Sequence, residues 1–290
     1  YLAAVRDEKQ LVTLGLDRAT GKTLWQREAP HEKLEEIHSI GSHAQSTPCT
    51  DGRYVVSFFG SSGLYCYDHS GKQLWNKPMG PFNNNFGAGS SPLIVGDRII
   101  LCQDHDLGSF LMAINKKTGE IIWNKDRSEF PRNYCTPIIW ENAGKKQIVI
   151  AATLRVVGYD LETGNEAWTV RGISRMVSCS PTVGDDGMLY VAGWAAGGDE
   201  NERISAEPFD SVAELKDTDK SGTLEESELK DGPIHQRFSQ ADRNKDGKLT
   251  KAEYEYFRNL FADGKNVVIS IKPGATGEAT DSHVAWRHSR

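Results

Sequence analysis

An all-β chain made of repeated four-stranded antiparallel units, interrupted once by a small helical insertion, is the fold that three observations in the sequence predict. A tryptophan recurs at Trp25, Trp75, Trp123 and Trp168, at intervals of 50, 48 and 45 residues. A three-residue marker ending in proline ("STP", "SSP", "CTP", "CSP") places Pro48, Pro92, Pro137 and Pro181 at intervals of 44, 45 and 44, so two independent signals keep one beat. After Trp168 the beat breaks, and the next comparable tryptophan, Trp286, stands 118 residues on.

Taken in order, residues 1–27 supply only the later strands of a unit, ending in "GLDRATGKTLW" (15–25). A connection (28–45) containing His38 and His43 leads to the first marker. The runs "RYVVSFFG" (53–60), "DRIILCQ" (97–103) and "KQIVIAAT" (146–153) are rich in β-branched and aromatic residues and bounded by Gly, Asp or Asn, the composition of strands. Each is followed by a segment that superimposes on the first: "CYDHSGKQLW" (66–75), "AINKKTGEIIW" (113–123) and "GYDLETGNEAW" (158–168). Within these segments Asp17, Asp68, Asn115 and Asp160 can bond backbone amides as the chain turns. Gly21, Gly71, Gly119 and Gly164 follow, where a tight hairpin requires positive φ. The indole then offers a large apolar surface to the next unit. One strand after the proline, one in the β-branched run, one before the Asp and one bearing the Trp make four per period, the pattern of a propeller blade.

The break after Trp168 is longer than one period by roughly 70 residues, which matches an acidic block at 199–263. The expected organisation is therefore blades over 1–198, an insertion over 199–263 and a fifth blade resuming over 264–290, from "KNVVISIKPG". The insertion falls between "MLYVAGW" (188–194) and the strand near Val267, where the second unit has only the hairpin "GSSG" (60–63). It contains "DTDKSGTLEESE" (217–228) and "DRNKDGKLTKAE" (242–253), two loops with the ligand spacing of an EF-hand. The first offers Asp217, Asp219, Ser221, Thr223, Glu225 and Glu228 around Gly222. The second offers Asp242, Asn244, Asp246, Lys248 through its carbonyl, Thr250 and Glu253 around Gly247. Such sets of hard oxygens suit two calcium ions. Leu224 and Leu249 stand at place eight, where paired loops form a short β contact, and apolar residues at helical spacing flank both loops. The loops begin only 25 residues apart, so the connecting helices must be short.

The net charge of −6 is uneven: 17 acidic and 10 basic residues in 199–263 give −7, leaving +1 elsewhere. No basic stripe suggests nucleic acid, and no apolar run approaches a membrane span. Five cysteines without a CxxC or adjacent pair read as small buried hydrophobes. No catalytic constellation stands out. His38, His43 and the cluster "QDHD" (103–106) read as surface or turn features.

The Ala-x-Asp-x-x-Thr-Gly-x-x-x-Trp pattern, best kept at 113–123 and 158–168, resembles the repeat of the pyrroloquinoline-quinone-type propellers. The resemblance implies a ring of seven or eight blades. Four full blades and a partial one fall short of that, so about three blades are expected outside these 290 residues. Quinoprotein dehydrogenases of this superfamily hold their quinone with a vicinal cysteine pair, which this sequence lacks. The expected function is a non-catalytic scaffold that binds a protein or other extended polymer on a propeller face, in the periplasm or outside the cell, with calcium in the EF pair and no quinone. The alternative is a quinone-dependent dehydrogenase or a fragment of one.

Overall fold

The computed structural model describes every residue except Asn85, Asp231 and Arg290. Three strands open the chain, β1 (Leu2–Arg6), β2 (Gln10–Leu16) and β3 (Thr23–Glu28), hydrogen-bonded in that order. The second sheet runs β4 (Cys49–Thr50), β5 (Val55–Phe58), β6 (Leu64–Tyr67) and β7 (Gln73–Lys77). The third runs β8 (Leu93–Val95), β9 (Arg98–Gln103), β10 (Phe110–Asn115) and β11 (Ile121–Asp126). The fourth runs β12 (Ile138–Asn142), β13 (Lys145–Ala152), β14 (Arg155–Asp160) and β15 (Glu166–Arg171). The fifth begins with β16 (Thr182–Val183) and β17 (Leu189–Gly193). A helical segment then intervenes, with α1 (Phe209–Lys216), β18 (Leu224–Glu225), α2 (Phe238–Ala241), β19 (Lys248–Leu249) and α3 (Lys251–Asp263). The fifth sheet resumes at β20 (Val267–Ile271) and closes, after β21 (Gly277–Glu278) and the single turn α4 (Thr280–His283), with β22 (Val284–Ser289). Consecutive strands within each sheet are antiparallel neighbours, which is the expected propeller of four-stranded blades with a helical insertion. β21 departs from the pattern: it joins the fourth sheet beside β15, in parallel.

The sequence motif has a geometric cause. In each blade the tryptophan lies directly across from the small residue at the motif's first place: Gly15–Trp25, Cys66–Trp75, Ala113–Trp123, Gly158–Trp168 and Ser270–Trp286. A β-bulge follows immediately in all five. The bulge turns the indole over its small partner, and a Cβ on Gly15 or Gly158 would overlap the ring. The Asp that follows binds the turn: Asp17 Oδ1 accepts from the Thr20 amide at 2.7 Å, and Asp160 Oδ1 from the Thr163 amide at 2.8 Å.

Three of these tryptophans also lock their blade to the next. Trp25 Nε1 donates to His69 O at 2.8 Å, Trp75 to Lys116 O at 3.0 Å and Trp123 to Leu161 O at 3.4 Å. Each indole lies on the hairpin glycine of the following blade; a Cβ on Gly71 would stand 2.5 Å from Trp25. The proline markers form a second inter-blade connection. The Thr47 amide donates to Ser91 Oγ, the Ser91 amide to Thr136 Oγ1 and the Thr136 amide to Ser180 Oγ, at 2.9, 3.0 and 3.2 Å. The buried apolar side chains of β13, β14, β17 and β20 form the largest core between the fourth and fifth blades.

Two expectations fail at single residues. Cys66, Cys102 and Cys135 are buried, but Cys179 is exposed, because the first strand of the fifth blade is only two exposed residues long. His105, read as a turn residue, is fully buried between Phe82 and Phe110.

Candidate metal centre

The helical segment leaves and re-enters the fifth blade through one neck. Gly193 pairs with Val267, so β17 and β20 meet as an ordinary hairpin at that point. Buried Asn266 ties the neck: its Oδ1 accepts from the Ala195 amide at 2.8 Å, and its Nδ2 donates to Ala195 O and Asp199 Oδ1. Beyond the neck the segment has its own apolar core, including Phe209, Leu224, Phe238, Leu249, Tyr254 and Phe257. Leu224 pairs with Leu249 across β18 and β19, as the place-eight pattern requires. The short spacing shows its effect between the loops, where a 3-10 turn (His235–Arg237) and the single turn α2 stand in place of longer helices. α3 starts at a full capping box made by Thr250 and Glu253.

The two loops share a backbone course. Lys220 and Lys245, at place four, have φ of 58° and 59°, and Gly222 and Gly247, at place six, have φ of 78° and 83°. This course aims successive amides inward. Asp217 accepts from the amides of Ser221 and Gly222 at 3.0 and 2.9 Å; Asp242 accepts from Asp246 and Gly247 at 3.2 and 2.9 Å. Asp219 and Asn244 each accept from the place-five amide at 3.0 Å. The sequence therefore folds each loop around its place-one carboxylate by hydrogen bonding alone.

The loops differ at place twelve. Glu228 reaches back over the first loop, with Oε1 accepting from the Thr218 amide at 2.8 Å and Oε2 from the Glu225 amide at 3.1 Å. It thereby joins Asp217 and Asp219, and the three offer carboxylate oxygens within 4.8 Å of one another, the sole such group of three metal-ligating side chains among the described residues. The Thr218 amide, before any other cause, holds the Glu228 carboxyl down at about 2, and its hydrogen bond in turn pushes Glu225 up. Ser221 Oγ lies 3.0 Å from Thr223 Oγ1, which lies 3.2 Å from Glu225 Oε1, so the other first-loop candidates line the same side. In the second loop Glu253 instead stays with Thr250, whose amide and hydroxyl donate to Oε2 at 3.1 and 2.7 Å. Asp246 Oδ1 accepts from the Lys248 amide at 3.0 Å, and Asn244 Nδ2 donates to Asp246 Oδ2 at 3.1 Å. The first loop brings three of its four acidic candidates together; the second orders its place-one carboxylate in the same way but keeps Glu253 at the helix N-terminus.

The second loop also grips the propeller. Arg243, at place two, donates from Nε to Asp106 O at 3.0 Å and from Nη2 to Ser128 O at 3.1 Å, and lies over Tyr256 at 5.0 Å. Its own carbonyl accepts from Asn83 Nδ2 at 3.4 Å. Arg132 Nη2 donates to Ser239 O at 3.3 Å, and Tyr256 hydroxyl to Glu129 O at 3.2 Å. The insertion thus rests on the loops of the third and fourth blades, far from its own neck in sequence. The "QDHD" cluster is structural and supports that platform. Asp104 takes a two-pronged ion pair from Arg127 at 2.8 and 2.9 Å, both side chains 1% exposed, while Asp106 pairs with Arg132. No signal in the sequence points to Arg243, Arg132 or Asn266, since each acts through the orientation of the insertion.

Comparison with known proteins adds two family matches, of which the first covers more than half of the chain. The family described as "Outer membrane protein assembly factor BamB" matches residues 8–197, and the EF-hand family matches residues 234–257, which span the second loop. Among solved structures, BamB from Moraxella catarrhalis is 17% identical with a TM-score of 0.48, over 68% of this chain and 58% of that one. The quinohemoprotein alcohol dehydrogenase ADHIIG from Pseudomonas putida HK5 is 14% identical with a TM-score of 0.46, over 89% of this chain and 35% of that one. This chain thus spans little more than half the length of the first and about a third of the second. No curated protein matches the chain.

Proposed function

Since the chain belongs to the family of the outer membrane protein assembly factor BamB, we propose that it is a non-catalytic propeller scaffold that binds a protein or other macromolecular partner, and that its inserted EF pair holds two calcium ions. The convergence of Asp217, Asp219 and Glu228 is the observation that most supports the metal. The donor set is all hard oxygen, and the amides that organise it leave the loop interior to carboxylate, hydroxyl and carbonyl groups, the chemistry that selects calcium. Asp217, Asp219, Ser221, Thr223, Glu225 and Glu228 would hold the first ion; Asp242, Asn244, Asp246, Lys248 through its carbonyl, Thr250 and Glu253 the second. Calcium would supply charge neutralisation. This chain's own part is to keep the carboxylates ordered through the loop amides and to link the two sites through Leu224 and Leu249.

The setting we infer is the periplasm or the cell exterior, where millimolar calcium suits sites of modest affinity. Among the described residues, no helix is long and apolar enough to cross a membrane. Residues 199–263 would act as an added unit between blades at 1–198 and 264–290, which the hairpin geometry at Gly193–Val267 favours.

Calorimetry with calcium on the full chain tests the metal reading: two equivalents are expected. Glu228→Gln should weaken the first site about tenfold or more, the scale of losing one charged contact of about 1.5–3 kcal/mol. No calcium uptake would overturn it. Addition of quinone with calcium tests the scaffold reading; bound chromophore with dye-linked alcohol oxidation would replace it with the dehydrogenase.

A further inference from the structure

The docking of the insertion on the blades frames a partly open cavity of about 170 Å³, lined by none of the proposed calcium ligands, though Arg243 of the second loop lines it. Its polar wall is made by Arg132, Arg175, Arg243 and Asp106, and Phe257 and Leu260 contribute to the apolar wall. The charges do not balance. Arg132 has Asp106 as partner, but among the described residues neither Arg175 nor Arg243 has a carboxylate within ion-pair distance. Arg243 spends its donors on Asp106 O and Ser128 O. Arg175 uses Nε on Ala196 O at 3.2 Å and lies 4.4 Å over the Phe261 ring, which leaves its terminal nitrogens available. Burial, followed by the charges of Arg237 and Arg132, draws Arg175 down to about 10, the mark of a cation short of counter-charge. Asp106, itself 1% exposed, has its Oδ2 buried with no hydrogen-bond partner.

We propose that this cavity binds a small apolar carboxylate that bears a hydrogen-bond donor, the chemistry shared by apolar α-amino and α-hydroxy acids. A guanidinium with free terminal nitrogens takes a carboxylate in two parallel bonds. Asp106 lines the same wall, and its unpartnered, buried Oδ2 is an acceptor whose burial costs free energy until a small turn of the side chain lets a ligand donor reach it. That same carboxylate disfavours a dianion such as phosphate. The volume is close to the roughly 150 Å³ of an engineered apolar cavity that holds benzene, so a body of about six carbon atoms fits. Each part of the wall thus specifies one part of the ligand.

Calorimetry on the full chain with calcium present tests this with four probes: L-leucine, 2-hydroxy-4-methylpentanoate, 4-methylpentanoate and L-leucinamide. One or both of the first two should bind with Kd below about 1 mM, and which of them binds more tightly identifies the donor. The third, without the donor, should bind about fivefold or more weakly than the better of these, and the fourth, without the carboxylate, should give no heat. Arg175→Gln should cost about tenfold or more, and Arg175→Lys should recover part of it. Should Arg175→Gln fail to fold, Gln240→Trp, which fills the cavity from α2, should abolish binding instead. The proposal is overturned if neither acid binds, if leucinamide or 4-methylpentanoate matches them, or if the folded variants bind as the parent does.

Discussion

At the scale of single residues, His105 shows how burial becomes pH dependence. The ring lies 4.3 Å from Phe82 with both nitrogens buried and without hydrogen-bond partners. Burial lowers its pKa to about 4, against about 6.5 when the chain is unfolded. Above about pH 6.5 both states are neutral and the group has no effect on stability. As pH falls toward 4 the unfolded chain takes up a proton that the folded one resists, so stability drops by up to about 1.4 kcal/mol per unit. His105→Phe should remove this slope between pH 6.5 and 4 and raise the melting temperature most at the acid end; an unchanged slope in thermal melts would assign acid sensitivity elsewhere. A second pair of residues isolates the inter-blade lock. Gly21 and Gly71 occupy the same turn position with φ of 71° and 77°, but only Gly71 lies under a tryptophan. Gly21→Ala should cost about 1 kcal/mol for the left-handed backbone alone. Gly71→Ala should cost a further 1–3 kcal/mol, roughly, for the displaced indole. Chemical denaturation of both variants measures the difference, and equal losses would mean that Trp25 adds little to the interface.

At the scale of elements, the insertion and the third blade meet through a few long side chains. Arg243→Ala removes two hydrogen bonds to backbone carbonyls and the contact over Tyr256, so limited proteolysis should cut the insertion faster while the melting of the blades stays nearly unchanged. Calcium removal should act in the same place. Carboxylates brought within 4.8 Å repel when no cation lies among them. Chelation should therefore raise hydrogen exchange across 204–262 and in the loops at 104–109 and 127–133 that touch it, and leave 46–58 as it was; a uniform rise would make the EF pair part of the stability of every blade. The boundary of what the sequence could reveal runs between these same elements. Blade repeats were legible because their determinants are local: an Asp that binds its own turn, a glycine, a tryptophan across from a small residue. The turn geometry of the loops at 217–228 and 242–253 was legible for the same reason. The resting place of the insertion was not, because Arg243 and Arg132 act across more than 100 residues of sequence, through an angle that no local pattern encodes. The exposed Cys179 and the buried His105 were misread from flanking strands whose length and depth depend on neighbouring blades.

At the scale of the whole molecule, the blades and the insertion have separate reasons to fold. The neck at Gly193 and Val267 already has strand pairing, and the insertion has a core of its own. Replacement of residues 195–265 by the turn "GSSG" should give a folded chain with the circular dichroism of the blades intact. Collapse of that chain would mean that the fifth blade depends on the helices. The contacts between blades favour survival, since the hydrogen bonds from Thr47 through Ser91 and Thr136 to Ser180 lie outside the segment removed.

The tryptophan locks have a direction, and that direction becomes a timetable when the chain is synthesised. Each of the first three indoles finds its carbonyl in the blade that follows it, 38 to 44 residues downstream. At about 5–20 residues per second, a newly made blade therefore waits roughly 2–9 s for the turn that covers its tryptophan. Trp168 differs: its indole donates to Gln147 Oε1 within its own blade at 2.7 Å, but the backbone partner of its strand, Gly277 in β21, lies beyond the whole insertion. Over those 109 residues the wait is about 5–20 s, during which the EF pair is made and can fold while the fourth blade still has an open side.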